Sequence, residues 1–190
     1  MSESSREGDA QVDVALITRW QRGDQRAATE IVERHAQALA RFAATHGVRD
    51  GVDDLVQDTF VRAFHSIDNF RSDSSLRTWL FTILKRLVLD RQRAERRSRN
   101  QVELDEGHAV QEFNALDGMV ADEALLRVQQ AVGRLSPLQR EVFTLRVTEG
   151  MPYSEIAKMV DSTEGACRVH YHNAMRAVKE YLSDEGVPER

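Results

Sequence analysis

In residues 52–67, VDDLVQDTFVRAFHSI, the apolar side chains Val52, Leu55, Val56, Phe60, Ala63, Phe64 and Ile67 recur at intervals of three and four. That spacing lines one face of an α-helix and does not match the two-residue alternation of a half-buried strand. Asp54, Asp58 and His65 fall on the other side, so the helix has a polar, acidic outer face. Residues 74–98 repeat the pattern, with Leu76, Trp79, Leu80, Ile83, Leu87 and Val88 on the buried side and Ser74 as the expected N-cap. Two earlier helices are expected over 12–22 and 24–46, broken at Gly23-Asp24 and stopped at Gly47. Together they make a four-helix N-terminal lobe.

Composition agrees with an all-α fold. The chain is 41% apolar but only 6% aromatic, with 10 Gly and 3 Pro in 190 residues, unlike a sheet-rich or low-complexity protein. The single cysteine, Cys167, excludes an intramolecular disulfide framework and a zinc ribbon, and points to a reducing compartment such as the cytoplasm. No apolar run approaches the roughly 18 residues that span a bilayer. Met1 to Asp13 is polar and acidic where a signal peptide is basic and then apolar. The expectation is a protein neither secreted nor inserted in a membrane.

Charge is segregated along the chain. Residues 84–99 carry Lys85, Arg86, Arg91, Arg93, Arg96, Arg97 and Arg99 against Asp90 and Glu95, a net charge of +5. Residues 100–123 carry seven acids and no Lys or Arg, a net charge of -7. A basic helix end followed by an acidic, turn-containing stretch suggests a polyanion partner and a flexible connection, or simply a solvated helix end and a linker.

Beyond the acidic stretch, residues 121–134 read as helical. Ser136-Pro137-Leu138-Gln139 is a capping box with Pro at the first helical position, and its helix runs to about Val147. Gly150-Met151-Pro152 interrupts it. A short helix over Tyr153 to Val160, a turn through Asp161 and Ser162, and a long helix from Thr163 to about Leu182 complete a helix-turn-helix. On the last helix Cys167, Tyr171, Ala174, Val178 and Leu182 share one side. At about 100° per residue, Gly165, Arg168, Val169, His172, Asn173 and Arg176 share the other. Guanidinium, imidazole and amide groups on one face suit base edges and phosphates in a major groove. Many small helical domains share the helix-turn-helix pattern, so by itself it leaves DNA contact and simple structural use both open. Residues 124–190 hold nine bases and nine acids, which predicts weak autonomous DNA binding.

No enzyme is expected: there is no phosphate-binding glycine loop and no nucleophile elbow. No metal or cofactor is expected either. Cys167 and His170 lie one turn apart, but His172 projects to another face and a fourth ligand is missing, so a small buried cysteine is the simpler reading.

The order Asp54-Leu55-Val56-Gln57-Asp58-Thr59-Phe60, Phe70-Arg71, Leu76-Arg77-Thr78-Trp79-Leu80, a basic tail and a helix-turn-helix resembles the extracytoplasmic-function group of bacterial sigma factors. These are the two-domain minimal members of the sigma-70 family. The resemblance implies an all-α protein of two small helical domains: region 2 over 12–98, an acidic flexible linker over 99–120, and region 4, the helix-turn-helix, over 121–182. It implies a non-catalytic initiation subunit that directs RNA polymerase to promoters and helps to open them. Asp54, Leu55, Gln57 and Asp58 would dock on the clamp helices of the largest polymerase subunit, and region 4 on the flap of the second. Asn69, Arg71 and Trp79 would serve minus-ten capture of a flipped base. Lys85, Arg86, Arg91 and Arg93 would hold phosphates there. Trp79, beside Leu80 and Ile83, also reads as a core residue. Gly165, Arg168, Val169, His172, Asn173 and Arg176 would meet the minus-thirty-five element.

In the family the linker threads toward the RNA exit path, so a chain of charge -7 would mimic nucleic acid there; a passive tether is the plainer alternative. An anti-sigma factor is the implied regulator, and would hold an otherwise cytoplasmic protein at the membrane. The sequence departs from the family at three places: Arg86 stands where Asn is frequent, and His170 and Asn173 replace two usual arginines. Asn173 suits a bidentate contact to adenine. The rival from another class is a stand-alone helix-turn-helix repressor or activator whose N-terminal lobe is a dimerisation or sensor bundle, which predicts specific binding of the isolated protein to a palindrome.

Overall fold

The computed structural model describes residues 3–48, 50–70, 74–102 and 123–184, and in these the helical spacing of apolar residues becomes eight α-helices. The first four are α1 (Glu3–Gln21), α2 (Gln25–Thr45), α3 (Val52–Ser66) and α4 (Leu76–Val102), with a short 3₁₀ turn at Ile67–Asn69. The second four are α5 (Glu123–Gly133), α6 (Pro137–Val147), α7 (Tyr153–Val160) and α8 (Glu164–Asp184). The chain divides into two compact units, Met1–His108 and Ala109–Arg190.

In the first unit α2 packs against α1, α3 and α4, and α3 packs against α4. Ile31, Leu39, Phe42, Leu80, Phe81, Leu84 and Val88 are almost wholly buried. Phe42 meets Phe81 edge to face at 5.0 Å, a favoured aromatic geometry. Phe81 and Leu84 were not among the expected core positions. Because α4 is covered by both α2 and α3, its apolar stripe is wider than the one-sided pattern suggests.

Helix boundaries follow the caps. Asp24 accepts from the Arg26 backbone N–H at 3.0 Å and starts α2. The Arg19 guanidinium, hydrogen-bonded to Asp24 and Glu30, holds the Asp24 carboxyl below the usual carboxylate range. Gly47, at φ 80°, ends α2 where a side chain would be strained. Ser75, not Ser74, caps α4: its hydroxyl accepts from the Thr78 N–H at 3.2 Å, three residues on, a reach that Ser74 lacks. Helix α1 starts at Glu3 rather than near residue 12. Its first turns carry no apolar repeat to betray them; Asp9 and Asp13, each 3.1 Å from Arg34, tie them to α2.

In the second unit α5, α6 and α7 all pack on α8. Ala131, Val132, Leu135, Phe143, Ala174 and Val178 form the core, with Tyr171, Met175, Tyr181 and Leu182 against it. The capping box forms as expected: Ser136 accepts from the Gln139 N–H, and the Gln139 side chain accepts from the Ser136 N–H. Arg140 donates to the carbonyls of Val132, Gly133 and Leu135, and so closes the C-terminal end of α5. Asp161, at φ 52°, makes the tight turn between α7 and α8. Thr163 caps α8 by accepting from the Ala166 N–H at 3.2 Å, which places the first helical residue at Glu164.

Candidate functional site

Three surfaces collect the sequence-predicted site residues, two on the first unit and one on the second. The first is the outer face of α3. Asp54, Gln57, Asp58, Val61 and His65 are exposed there, within an arc of about 100° at 100° per residue. Asp53 and Asp54 sit in the first turn, where the helix dipole favours acids. Leu55 does not belong to this surface. It is 7% exposed and faces the core, one residue-step of about 100° from Asp54. The apolar element of the surface is Val61, 47% exposed, which motif reading passed over but angular projection finds.

The second surface runs along α4 from its N-terminal aromatic corner. Phe70 follows the 3₁₀ turn and its ring lies 5.3 Å from that of Trp79. Both rings are half-buried, so Trp79 is neither a sealed core residue nor a free platform. Arg71 and the side chain of Asn69 lie outside the described residues. From Trp79 onward, Arg86, Arg93 and Arg97 follow at intervals of seven, seven and four, and Lys85 and Arg96 flank them. This puts an aromatic ring and a row of cations on one side of a helix over about 27 Å. Arg97 is exposed and shares this side, and exposed Arg96 borders it about 100° around, although the charge run alone did not single them out for DNA. Arg93 pairs loosely with Asp90 at 3.4 Å, both well exposed.

Arg91 is separated from that row. It stands about 120° around α4 from Trp79, and its Nε lies 3.0 Å from Glu95. There its guanidinium covers the start of α3: a Cβ on Gly51 would stand 2.9 Å from Arg91 Nη1 and 3.3 Å from Asp54 Oδ2. Gly51, at φ 66°, is the N-cap of α3 and has no side chain to keep the guanidinium away. Arg91, expected among the phosphate contacts, thus lies against the start of α3 and not along the row.

The third surface is the outer face of α8. Gly165, Arg168, Val169, His172 and Arg176 are exposed and Asn173 is half-buried, all on the side away from the core. Arg168 lies 3.4 Å from Glu164, and its guanidinium carbon lies 5.5 Å from the Tyr153 ring centre. Tyr153 also receives Arg146 at 4.8 Å, so the first helix of the helix-turn-helix helps to hold a cation of the second. Arg176 lies 3.9 Å from Glu180. Behind this face Cys167 is fully buried, and burial, reinforced by Glu164 and Glu141, pushes its thiol pKa up. It is a structural cysteine, inert by burial and charge. Among the described residues no cluster of three His, Cys, Asp or Glu side chains is placed to hold a metal. Among them, too, no helix is long and apolar enough to cross a membrane.

Comparison with known proteins matches this arrangement. The Sigma-70 region 2 family model covers residues 31–98, and the Sigma-70, region 4 model covers residues 125–178. The RNA polymerase sigma factor NccH of Alcaligenes xylosoxydans xylosoxydans is 34% identical over 167 residues, 83% of this chain and 88% of its own length. The ECF RNA polymerase sigma-E factor of Escherichia coli strain K12 is 29% identical over 175 residues, 87% of this chain and 92% of its own. Among solved structures, CnrH in complex with the cytosolic domain of CnrY shares 30% identity, with a TM-score of 0.67 over 91% of this chain and 98% of that one. The sigma factor RpoE in complex with the anti-sigma factor NepR, from Bartonella quintana, shares 26% identity with a TM-score of 0.67, over 82% and 96%. With both regions present in order and relatives matched over nearly their whole length, the chain belongs to the sigma-70 family of RNA polymerase sigma factors, in its extracytoplasmic-function group.

Proposed function

We propose that this sigma factor delivers RNA polymerase to promoters through the three surfaces described, as a binding subunit that leaves catalysis to the polymerase. The acidic face of α3, Asp54, Gln57 and Asp58 around Val61, docks on the basic clamp helices of the largest subunit. A small apolar centre with a charged rim is the usual composition of such an interface. The row on α4, Trp79, Lys85, Arg86 and Arg93, extended by Arg96 and Arg97, takes the minus-ten strand: an aromatic ring for an unstacked base and cations for its phosphates. Asn69 and Arg71 complete the capture loop. The outer face of α8 reads the minus-thirty-five duplex, with the flap of the second subunit holding this unit in place. The functional domains are 12–98 and 121–182, joined by 99–120. The acidic stretch, whose residues 103–122 lie outside the described ones, occupies a path shaped for nucleic acid until RNA displaces it.

An anti-sigma factor regulates the protein by covering these surfaces. Support comes from CnrH and RpoE, whose structures are complexes with the cytosolic domain of CnrY and with the anti-sigma factor NepR. A partner that binds through a cytosolic domain also supports a cytoplasmic protein held at the membrane by its regulator.

The observation that carries the reading is the alignment of Trp79 with a row of cations on one side of α4, in the same unit as the acidic face of α3. The test is run-off transcription on a library of upstream sequences, with core polymerase alone and with the protein added, beside a mobility-shift assay of the protein alone. Initiation at an asymmetric two-part motif, with little shift by the free protein, is the expected result. A tight shift on a palindrome with no gain in initiation replaces this reading with the stand-alone regulator.

A further inference from the structure

The outer face of α8 is polar except at one position. Val169 is 58% exposed, in the second turn of the helix, with Arg168, His172, Asn173 and Arg176 around it. A single exposed valine is ordinary on a protein surface. This one stands in the part of the second helix of a helix-turn-helix that reaches base edges. The surface before it is open, since a Cβ on Gly165 would meet nothing within 4 Å. The two arginines beside it already have carboxylate neighbours, Arg168 at 3.4 Å from Glu164 and Arg176 at 3.9 Å from Glu180.

Base pairs present one apolar group in the major groove, the C5-methyl of thymine; cytosine carries only hydrogen there. We infer that Val169 is a specificity-determining residue that selects a thymine in the minus-thirty-five element by packing on that methyl. The assignment rests on α8 being the DNA-reading helix. Asn173 follows Val169 by four residues, a rise of about 6 Å along the helix. That is close to two base-pair steps, so the selected thymine lies within about two base pairs of the adenine that suits Asn173. A β-branched side chain has few rotamers to lose on contact, and so makes an efficient reader of a methyl group.

The test removes the methyl group alone. Promoters selected by holoenzyme, formed from core polymerase and the full chain, are remade with deoxyuridine for each thymine of the minus-thirty-five element in turn, and holoenzyme affinity is measured. With the wild-type chain one position loses about fourfold, the worth of one buried methyl. With Val169→Ala that position is indifferent to the change. Exposed helical positions tolerate this substitution, so folding is preserved. If wild type is unaffected by deoxyuridine at every position, the inference is overturned while the sigma assignment stands. If Val169→Ala responds to deoxyuridine as wild type does, another residue reads the methyl and the inference is again overturned. If core polymerase gains no initiation from the chain, the DNA-reading role of α8 fails first and takes the inference with it.

Discussion

Arg140 closes the C-terminal end of α5, and replacing it by Leu gives a quantitative test. Its Nε donates to the Val132 carbonyl at 3.2 Å, and one Nη reaches the carbonyls of Gly133 and, at 3.2 Å, Leu135. These carbonyls lie at and just past the end of α5, where a helix runs out of partners, and that of Val132 also accepts from the Leu135 N–H at 3.2 Å. A hydrogen bond to a charged group contributes about 1.5–3 kcal/mol. Burial works against the charge and draws the guanidinium pKa down, and water replaces part of what is lost. The expected net cost is therefore close to that of one such bond, about 2 kcal/mol. For a unit of this size that lowers Tm by about 8–16 °C. It also raises amide exchange by about 30-fold wherever exchange needs opening of the unit, since about 1.4 kcal/mol is tenfold. Hydrogen exchange on the full chain, read peptide by peptide, should show the rise in α5 to α8 and none in α1 to α4. Arg140→Lys should recover little, because an ammonium cannot fork across separated carbonyls. If Arg140→Leu leaves exchange in the second unit within threefold of wild type, the carbonyl cap is not what holds α5 in place.

The first unit separates stability from docking. Leu55→Ala should cost about 2–5 kcal/mol in denaturant titration, whereas Val61→Ala should stay within about 0.5 kcal/mol yet weaken core-polymerase binding by about three- to tenfold; equal stability losses would show that Leu55 is not a core residue. Gly51→Ala combines the cost of left-handed backbone, about 1–2 kcal/mol, with displacement of Arg91, and an unchanged melting curve would refute that contact. Cys167 should give a pH signature. Its thiol pKa is raised in the fold by burial, so the stability it contributes is full below the ordinary thiol pKa and is lost as pH rises toward the folded value. Wild type should lose stability relative to Cys167→Ala above about pH 8.5, and parallel curves would contradict the sign.

Apolar periodicity carried most of the fold because each helix here buries one stripe, and a stripe is what a three- and four-residue repeat encodes. It failed where that premise fails. The first turns of α1 are tied down by Asp9 and Asp13 on Arg34 rather than by apolar burial, so nothing periodic announced them. Helix α4 is covered on two sides, and its buried stripe widens to take in Phe81 at the edge as well as Leu84, which stands midway between Leu80 and Val88. The site was legible as segments but less so as faces. Leu55 entered the docking set because it sits inside a motif, although one step along a helix turns a side chain by about 100°. Arg91 entered the DNA set because it belongs to a charge run, although the run wraps around the helix and only part of it shares the side of Trp79. Adjacent Ser74 and Ser75 are chemically equal candidates, and which one caps depends on where the chain turns into the helix.

On the proposed function, the charges of the second unit make promoter reading a property of the assembly. Residues 124–190 hold nine bases and nine acids, and two cations on the outer face of α8, Arg168 and Arg176, each stand near a glutamate one turn away. Exposed pairs of this kind contribute little to stability. They do lower the local positive potential that gathers a helix-turn-helix onto phosphate. A unit with so little non-specific attraction spends little time on random duplex, and becomes effective only when the polymerase holds it near one stretch of DNA. Tethering of that kind supplies an effective concentration that affinity does not. Short-range contacts such as those proposed for Val169 and Asn173 would then decide between sequences, because little salt-dependent background is left to mask them.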